Sequence, residues 1–321
     1  VTRTLTPGKW RGLKTTSGQD VFSVLAFDQR GNYVRMLPEG TDIHQAAQIK
    51  LEVCAAISSH VTAVLLDPNY GLPAALEIKG GCGLLMALEK TGYSGDPLAR
   101  QIDFMDGWDV SKIKAMGASA VKLLVYYNPD AEAAAQEIER VTQQVAQDCD
   151  QYDIPLFVEP LVYSTDPSVS ADSAEFAAQR PRLVTETARR LSPLGVDVLK
   201  LEFPIDVKYD ADTDHWLEAC QAVSAVSTVP WVLLSAGVDF NVFLQQVEIA
   251  CKGGASGFLG GRAIWKEAVT MSQEDRAQFL ESTAADRVNA LRQVTEQYAR
   301  PWTSYYDPIR FEENWYGHYQ A

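Results

Sequence analysis

Short apolar runs rich in Val, Ile and Leu recur along the 321-residue chain, separated by longer stretches in which apolar positions return every three or four residues. Continuous runs of this kind suit strands buried on both faces, and the intervening period is that of amphipathic helices. Eight runs qualify as strands: VFSVLAFD (21–28), VTAVLLD (61–67), GLLMALE (83–89), AVKLLVYY (120–127), IPLFVEPL (154–161), VDVLKLEFP (196–204), PWVLLSAG (230–237) and SGFLGGR (256–262). The third, with its Met, Ala and Leu, suits a helix equally well by composition. Helical periodicity covers 43–58, 109–116, 131–150, 172–191, 213–227 and 240–253, and Asp109, Asp130, Ser173 and Asp239 stand where they could cap first turns.

Eight strands alternating with helices predict the α/β class and, within it, a closed (β/α)8 TIM barrel. No linker or shift in composition divides the chain, so one domain is expected over 1–321, with its core at about 20–275 and a C-terminal extension at 276–321. The helical pattern after the eighth strand runs through SQEDRAQFLESTAADRVNALRQVTEQYA as one or two amphipathic pieces. The aromatic tail PWTSYYDPIRFEENWYGHYQA is expected to pack over the barrel or to meet another subunit.

A lysine and a glutamate inside VDVLKLEFP do not belong in an ordinary core strand, because an unpaired buried charge costs several kcal/mol or more. With a strand period of two, Val198, Lys200 and Glu202 share one face, and Leu199, Leu201 and Phe203 the other. The outer face must pack on helices, so the polar face is the barrel interior. The same spacing groups Lys122 with Leu124 and Tyr126, and Phe157 with Glu159, while Asp28, Asp67 and Arg262 close their strands. Barrels place chemistry at the C-terminal ends of their strands. These charges are therefore expected to meet at one mouth and form a site, the alternative being a buried salt-bridge network without chemistry.

An interior lysine beside a second cation and largely out of water is expected to have a lowered pKa and so to supply free amine. Such an amine attacks a carbonyl, and the protonated imine it forms withdraws electrons from an adjacent carbon–carbon bond. An anion site is expected in LLSAGVDF and FLGGRAIW, where Ser235, Gly237, Gly261 and Arg262 follow the seventh and eighth strands, the usual phosphate position of a barrel.

Composition narrows the partners. A net charge of −14 repels nucleic acid and anionic membranes, so an anionic substrate has to be held by a local pocket. Five scattered cysteines without a CxxC disfavour a disulfide framework or a zinc site. His44, His60, His215 and His318 lie far apart with no HxH or HExxH spacing, so no metal and no other cofactor is expected. No apolar run approaches the roughly 18 residues of a membrane span, and VTRTLTPGKW lacks the apolar core of a signal peptide. A cytoplasmic location is expected.

Taken together and in order, AFDQRG, LLDPNYGLPAA, AVKLLVYY, FVEPLVY, VLKLEFP, LSAGV and GRAIW resemble the class I tagatose 1,6-bisphosphate aldolase family, from about Val21 to Ala268. The resemblance implies a (β/α)8 enzyme that cleaves ketohexose 1,6-bisphosphates, including epimers, to dihydroxyacetone phosphate and glyceraldehyde 3-phosphate through a lysine Schiff base. By motif, it makes Lys200 the Schiff-base lysine, Glu159 the carboxylate that moves the C4 hydroxyl proton, and Lys122 a polarising neighbour. Asp28 and Gln29 would contact substrate hydroxyls or orient the iminium, and Ser235, Gly237, Gly261 and Arg262 would hold the C1 phosphate. Glu202 would hold Lys122 or Lys200 in place, and the grip on the C6 anion would come from among Arg30, Arg35 and Lys79. A homo-oligomer, dimer or higher, is also implied.

The chain departs from the family where it has GGRAIW for CGRATW and VLKLEFP for VLKVEVP, changes that bear on sugar preference rather than on the chemistry. Three alternatives stay open at this point: a 6-deoxy-6-sulfofructose 1-phosphate aldolase of the same fold, a sugar-phosphate-binding regulatory protein without turnover, and a metal-dependent class II aldolase, which full activity after chelation would exclude.

Overall fold

The structure is a computed structural model and describes residues 2–317 and 319, so His318 lies outside the described residues. All eight predicted strands form. They are β2 (Phe22–Phe27), β3 (Ala63–Leu66), β4 (Gly83–Ala87), β5 (Ala120–Tyr126), β6 (Leu156–Leu161), β7 (Val198–Leu201), β8 (Trp231–Leu234) and β9 (Gly257–Gly260), following a short β1 (Arg3–Leu5). Strands β2 to β9 are parallel and pair in chain order, and β9 returns to β2 to close the barrel. The closing seam depends on a glycine: Gly257 sits at φ +132°, and a Cβ there would lie 1.9 Å from the Phe22 carbonyl oxygen.

Strand residues of both parities are buried, one set inside the barrel and the other under the helices. Inside, Phe22 and Phe157 meet edge to face with centroids 5.5 Å apart and fill the lower barrel. Above them on the same parity come Ala26 on β2, Asp28 just past its end, and Glu159 on β6, which line the mouth. An apolar plug beneath a polar rim leaves the charges only one way to face, toward the C-terminal opening.

The helices fall close to their expected bounds, at Ile43–Ile57, Val110–Ala115, Glu132–Gln151, Ala174–Leu191, Thr213–Val226 and Phe240–Lys252. Asp109 and Ser173 cap as expected, accepting from the N–H groups of Lys112 and Phe176. Asp130 and Asp239 do not cap. A charged partner is within reach of each, and their carboxylates pair with Arg182 and Lys266 instead. The extension is helical at Gln273–Phe279 and Ala285–Tyr298, joined by a π-helical turn, Leu280–Ala284.

The aromatic tail and the N-terminal segment close the end of the barrel opposite the mouth. A helix not foreseen from the sequence, Pro7–Thr16, lies there with proline in its first turn, and β1 pairs in parallel with β10 (Tyr306–Pro308). Trp302 is fully buried against Trp10, and the Tyr306 hydroxyl donates to the Asp197 carbonyl at the start of β7. Lys9 reaches the Asp197 carboxylate at 2.8 Å.

Candidate active site

The mouth encloses a cavity of about 490 Å³, within the range of small-molecule sites. All nine residues expected at the site line it: Asp28, Gln29, Lys122, Glu159, Lys200, Ser235, Gly237, Gly261 and Arg262. Parity explains why they converge. Lys122, Leu124 and Tyr126 of β5, Glu159 and Leu161 of β6, and Lys200 followed by Glu202 at the end of β7 all face inward.

At the centre, the Lys122 ammonium is surrounded by three carboxylates. Its Nζ lies 2.6 Å from Asp28 Oδ2, 3.1 Å from Glu89 Oε1 and 2.9 Å from Glu159 Oε2. The same Glu159 oxygen lies 2.8 Å from Lys200 Nζ. Neither contact has the geometry of a hydrogen bond, so both are ionic. Burial disfavours the Lys122 ammonium, but attraction from Asp28, Glu159 and Glu89 outweighs it and raises the pKa well above that of an ordinary lysine. The lowered pKa expected of a crowded interior lysine therefore does not hold for Lys122, because three carboxylates outweigh both burial and the second cation. Burial likewise opposes ionisation of Asp28, yet Lys122, then Lys200 and Arg30, hold its carboxyl well below the usual range.

Several sequence expectations need correction. Asp67 closes β3 but faces outward, where it pairs with the buried Lys50 of helix Ile43–Ile57. Glu202 lines the cavity but holds neither lysine. It pairs with Arg180 at 3.0 Å and accepts from the Val162 N–H, and burial, only partly offset by Arg180, raises its pKa. Lys79 precedes β4 and so belongs to the opposite end of the barrel. Arg30 is spent on Glu89, donating to its carbonyl at 2.6 Å and to its carboxylate at 2.8 Å. Arg35 does line the cavity.

Three contributors were not anticipated. Glu89 joins Arg30, Lys122 and the Leu124 N–H, tying the ends of β2, β4 and β5 together. Parity could have found it, since Leu85, Ala87 and Glu89 alternate in GLLMALE. Lys50 donates to the carbonyls of Phe27 at 2.6 Å and Gln29 at 2.9 Å, bracing from behind the turn that carries Asp28 and Gln29. Arg100 packs over the rings of Tyr93, Tyr126 and Tyr163 at 4.5, 5.1 and 4.7 Å, which holds the loop after β4 against the rim.

Across the mouth, Gly261 N–H donates to Ser235 Oγ at 3.1 Å. The backbone donor expected for an anion is therefore used to join two loops, and the Ser235 hydroxyl proton is left to point elsewhere. Gly237, at φ +83°, lets Arg262 lie over it, since a Cβ there would meet the guanidinium carbon at 2.7 Å. Gln29 Oε1 is buried without a hydrogen-bond partner among the described residues.

A closed parallel barrel with helices around it is a (β/α)8 fold, and its paired amines and carboxylates lie at the C-terminal mouth, where such barrels place their active sites. The chain matches the DeoC/LacD family aldolase pattern over residues 22–267, and it belongs to that family. Among its relatives, tagatose 1,6-diphosphate aldolase 2 of Streptococcus agalactiae serotype III (strain NEM316) is 34% identical over 311 residues, covering 90% of this chain and 95% of that protein. Tagatose 1,6-diphosphate aldolase of Lactococcus lactis subsp. lactis is 34% identical over 322 residues, covering 93% and 98%. Two solved structures share the fold. A Schiff-base-forming fructose-1,6-bisphosphate aldolase superposes with a TM-score of 0.59 at 19% identity, covering 89% of this chain and 98% of that one. The fructose-bisphosphate aldolase of Plasmodium falciparum gives 0.69 at 13% identity, covering 93% and 98%.

Proposed function

We propose that the protein is a class I aldolase that cleaves tagatose 1,6-bisphosphate and its epimers to dihydroxyacetone phosphate and glyceraldehyde 3-phosphate, with Lys200 as the Schiff-base residue. The observation that carries this is Glu159 Oε2, 2.8 Å from Lys200 Nζ and 2.9 Å from Lys122 Nζ in the cavity at the barrel mouth. Of the two amines, Lys122 is committed to three carboxylates, whereas Lys200 has one carboxylate contact and shares it.

In this mechanism Lys200 Nζ adds to the C2 carbonyl, and loss of water leaves a protonated imine. Glu159 accepts the proton of the C4 hydroxyl. The electron pair of the C3–C4 bond then moves to the iminium as C4 becomes the aldehyde of glyceraldehyde 3-phosphate. The enamine takes a proton at C3, and water releases dihydroxyacetone phosphate. Lys122 keeps a positive charge beside Glu159 throughout. Asp28 and Gln29 contact substrate hydroxyls, for which the unpartnered Gln29 Oε1 is suited. The Ser235 hydroxyl and Arg262, seated over Gly237 and beside Gly261, hold the C1 phosphate. The iminium is itself the electron sink, so the chemistry calls for no cofactor, and full activity after exhaustive chelation is expected.

Borohydride reduction in the presence of dihydroxyacetone phosphate, followed by peptide mass spectrometry across residues 183–208, tests the assignment. A reduced adduct is expected on Lys200 and is lost in Lys200→Met. Bound ligand without an adduct at that residue would overturn the Schiff-base mechanism.

We also infer that residues 1–321 act as one domain, since a single apolar cluster runs from Leu5 to Tyr306. No helix among the described residues is long and apolar enough to cross a membrane. A cytoplasmic setting suits the five unpaired cysteines. Phe311 and Tyr316, 89% and 67% exposed, support self-association through the tail. Sedimentation equilibrium of the full chain reads this directly, and a monomer would refute it.

A further inference from the structure

The seam between β6 and β7 stops short of the site. These strands pair at Phe157 with Val198 and at Val158 with Leu199, and the next pair in register is Glu159 with Lys200. On its other side β6 stays paired with β5 as far as Leu161 with Tyr126. The sequence explains the break. The N–H groups of Leu156 and Val162 both turn toward β7, where carboxylates accept them, Asp197 Oδ2 at 2.9 Å and Glu202 Oε2 at 2.7 Å. Donors to one neighbouring strand recur every second residue, so residue 160 belongs to the same row. It is Pro160, which has no N–H to give. The ladder therefore loses its donor at the level where Glu159 faces Lys200.

Glu202 restores the link one step further out. While its Oε2 holds the Val162 N–H, its Oε1 pairs with Arg180 at 3.0 Å. Arg180 belongs to helix Ala174–Leu191 and stands outside the cavity lining, with its guanidinium 5.6 Å from the centre of the Phe176 ring. Phe176 packs with Val169 and Leu183 in a small apolar cluster that Val162 also touches. One carboxylate thus joins the end of β6, the end of β7 and the helix between them. Both of its oxygens are engaged in doing so, although Glu202 lies at the cavity wall.

We propose that Glu202 is a positioning residue for the aldol cleavage: by holding the Val162 N–H where Pro160 interrupts the ladder, it fixes the spacing of Glu159 and Lys200. This rests on the aldolase reading above and adds to it a residue that does not touch the reacting atoms. Its loss bears on turnover rather than on binding. A displacement of about 1 Å between reacting groups can lower the rate about a hundredfold, whereas the proposed phosphate contacts follow β8 and β9 and do not depend on this seam.

The test is steady-state cleavage of tagatose 1,6-bisphosphate, with borohydride trapping of dihydroxyacetone phosphate on Lys200, in wild type, Glu202→Gln, Glu202→Asp, Glu202→Ala and Asp197→Asn. Glu202→Ala removes the acceptor, and its kcat and trapping rate are expected to fall about tenfold or more while KM stays within about twofold. Glu202→Gln keeps an acceptor oxygen at the same reach and should hold kcat within about threefold of wild type. Glu202→Asp keeps the charge but is one carbon shorter, so it should be slower than Glu202→Gln, and this comparison stands even if Glu202→Ala does not fold. Asp197→Asn disturbs the same seam at the far end of the barrel; it should lower Tm and leave kcat within about twofold. Glu202→Asp faster than Glu202→Gln would make Glu202 a proton carrier and overturn the positioning role. An unchanged kcat in Glu202→Ala, or an equal loss in Asp197→Asn, would overturn it too. Failure of the aldolase assignment reads differently, because wild type would then trap no dihydroxyacetone phosphate at all.

Discussion

Replacing Lys122 with methionine removes the one ammonium that holds Asp28, Glu89 and Glu159 together. Each of its contacts, at 2.6 to 3.1 Å, represents a gross attraction of about 5–6 kcal/mol at an effective dielectric constant of about 20. The desolvation of four buried charges offsets most of that sum, at several kcal/mol per ion. What remains measurable is the cost of leaving the buried Asp28 without its ion-pair partner, about 3–5 kcal/mol, since Glu89 keeps Arg30 and Glu159 keeps Lys200. In a protein of 321 residues that corresponds to a fall in Tm of roughly 4–8 °C.

The pH dependence gives the sharper signature. In wild type the folded pKa of Asp28 lies below its ordinary 3.8, so its contribution is present above that value and is lost as pH falls through the folded value. The folded pKa of Lys122 lies above its ordinary 10.5, so its contribution is complete below 10.5 and is lost as pH rises through the folded value. Between those limits these two groups add no slope. In Lys122→Met the three carboxylates repel one another and at least one gains a raised folded pKa. The folded state then binds more protons than the unfolded, and the variant gains stability as pH falls from 8 toward 5.5. Thermal unfolding followed by circular dichroism at one scan rate, across that range, reads both effects. A variant melting within about 2 °C of wild type at pH 7.5, or one whose Tm difference from wild type does not shrink on acidification, would refute the assignment of Lys122 as the hub.

Two further perturbations separate binding from support. Gly237→Ala places a methyl 2.7 Å from the Arg262 guanidinium carbon and forces alanine to φ +83°, so Arg262 must move. Dihydroxyacetone phosphate should bind about tenfold more weakly at a stability cost of about 1–2 kcal/mol, and undiminished binding by calorimetry would remove Arg262 from the anion site. Lys50→Met removes the donors to the Phe27 and Gln29 carbonyls and leaves Asp67 unpaired, so the turn bearing Asp28 and Gln29 loosens. The trapping rate on Lys200 should fall tenfold or more in protein that is still folded at low temperature, whereas an unchanged rate would make Lys50 a purely structural residue.

How much of this site could be read from the chain depends on where the polar residues fall within each strand. In β7 and β5 a charge sits inside an apolar run, and the period of two then fixes which parity is interior. Lys200 and Lys122 were legible for that reason. In β3 the residues AVLL are apolar on both parities, and the one charge, Asp67, comes after the strand has ended. Nothing local says which way it turns, and only the position of Lys50 on the neighbouring helix decides it. Glu202 likewise follows the last strand residue, Leu201, and its pairing with Arg180 depends on a helix packed from outside.

Pairing between charges on different strands was the least legible feature. The sequence supplies two interior lysines and a set of carboxylates, and any of several matchings satisfies parity. The closed ring selects one of them. Its register sets Lys122 of β5 beside Phe157 of β6, two residues before Glu159, and the ammonium also meets Asp28, just after β2, from across the interior. That selection distinguishes the lysines: Lys122 is surrounded by three carboxylates, whereas Lys200 shares a single one and is the amine that the proposed mechanism brings to the substrate. A general rule that crowding lowers the pKa of a lysine could not make this distinction, because the sign depends on how many carboxylates the ring brings to each amine.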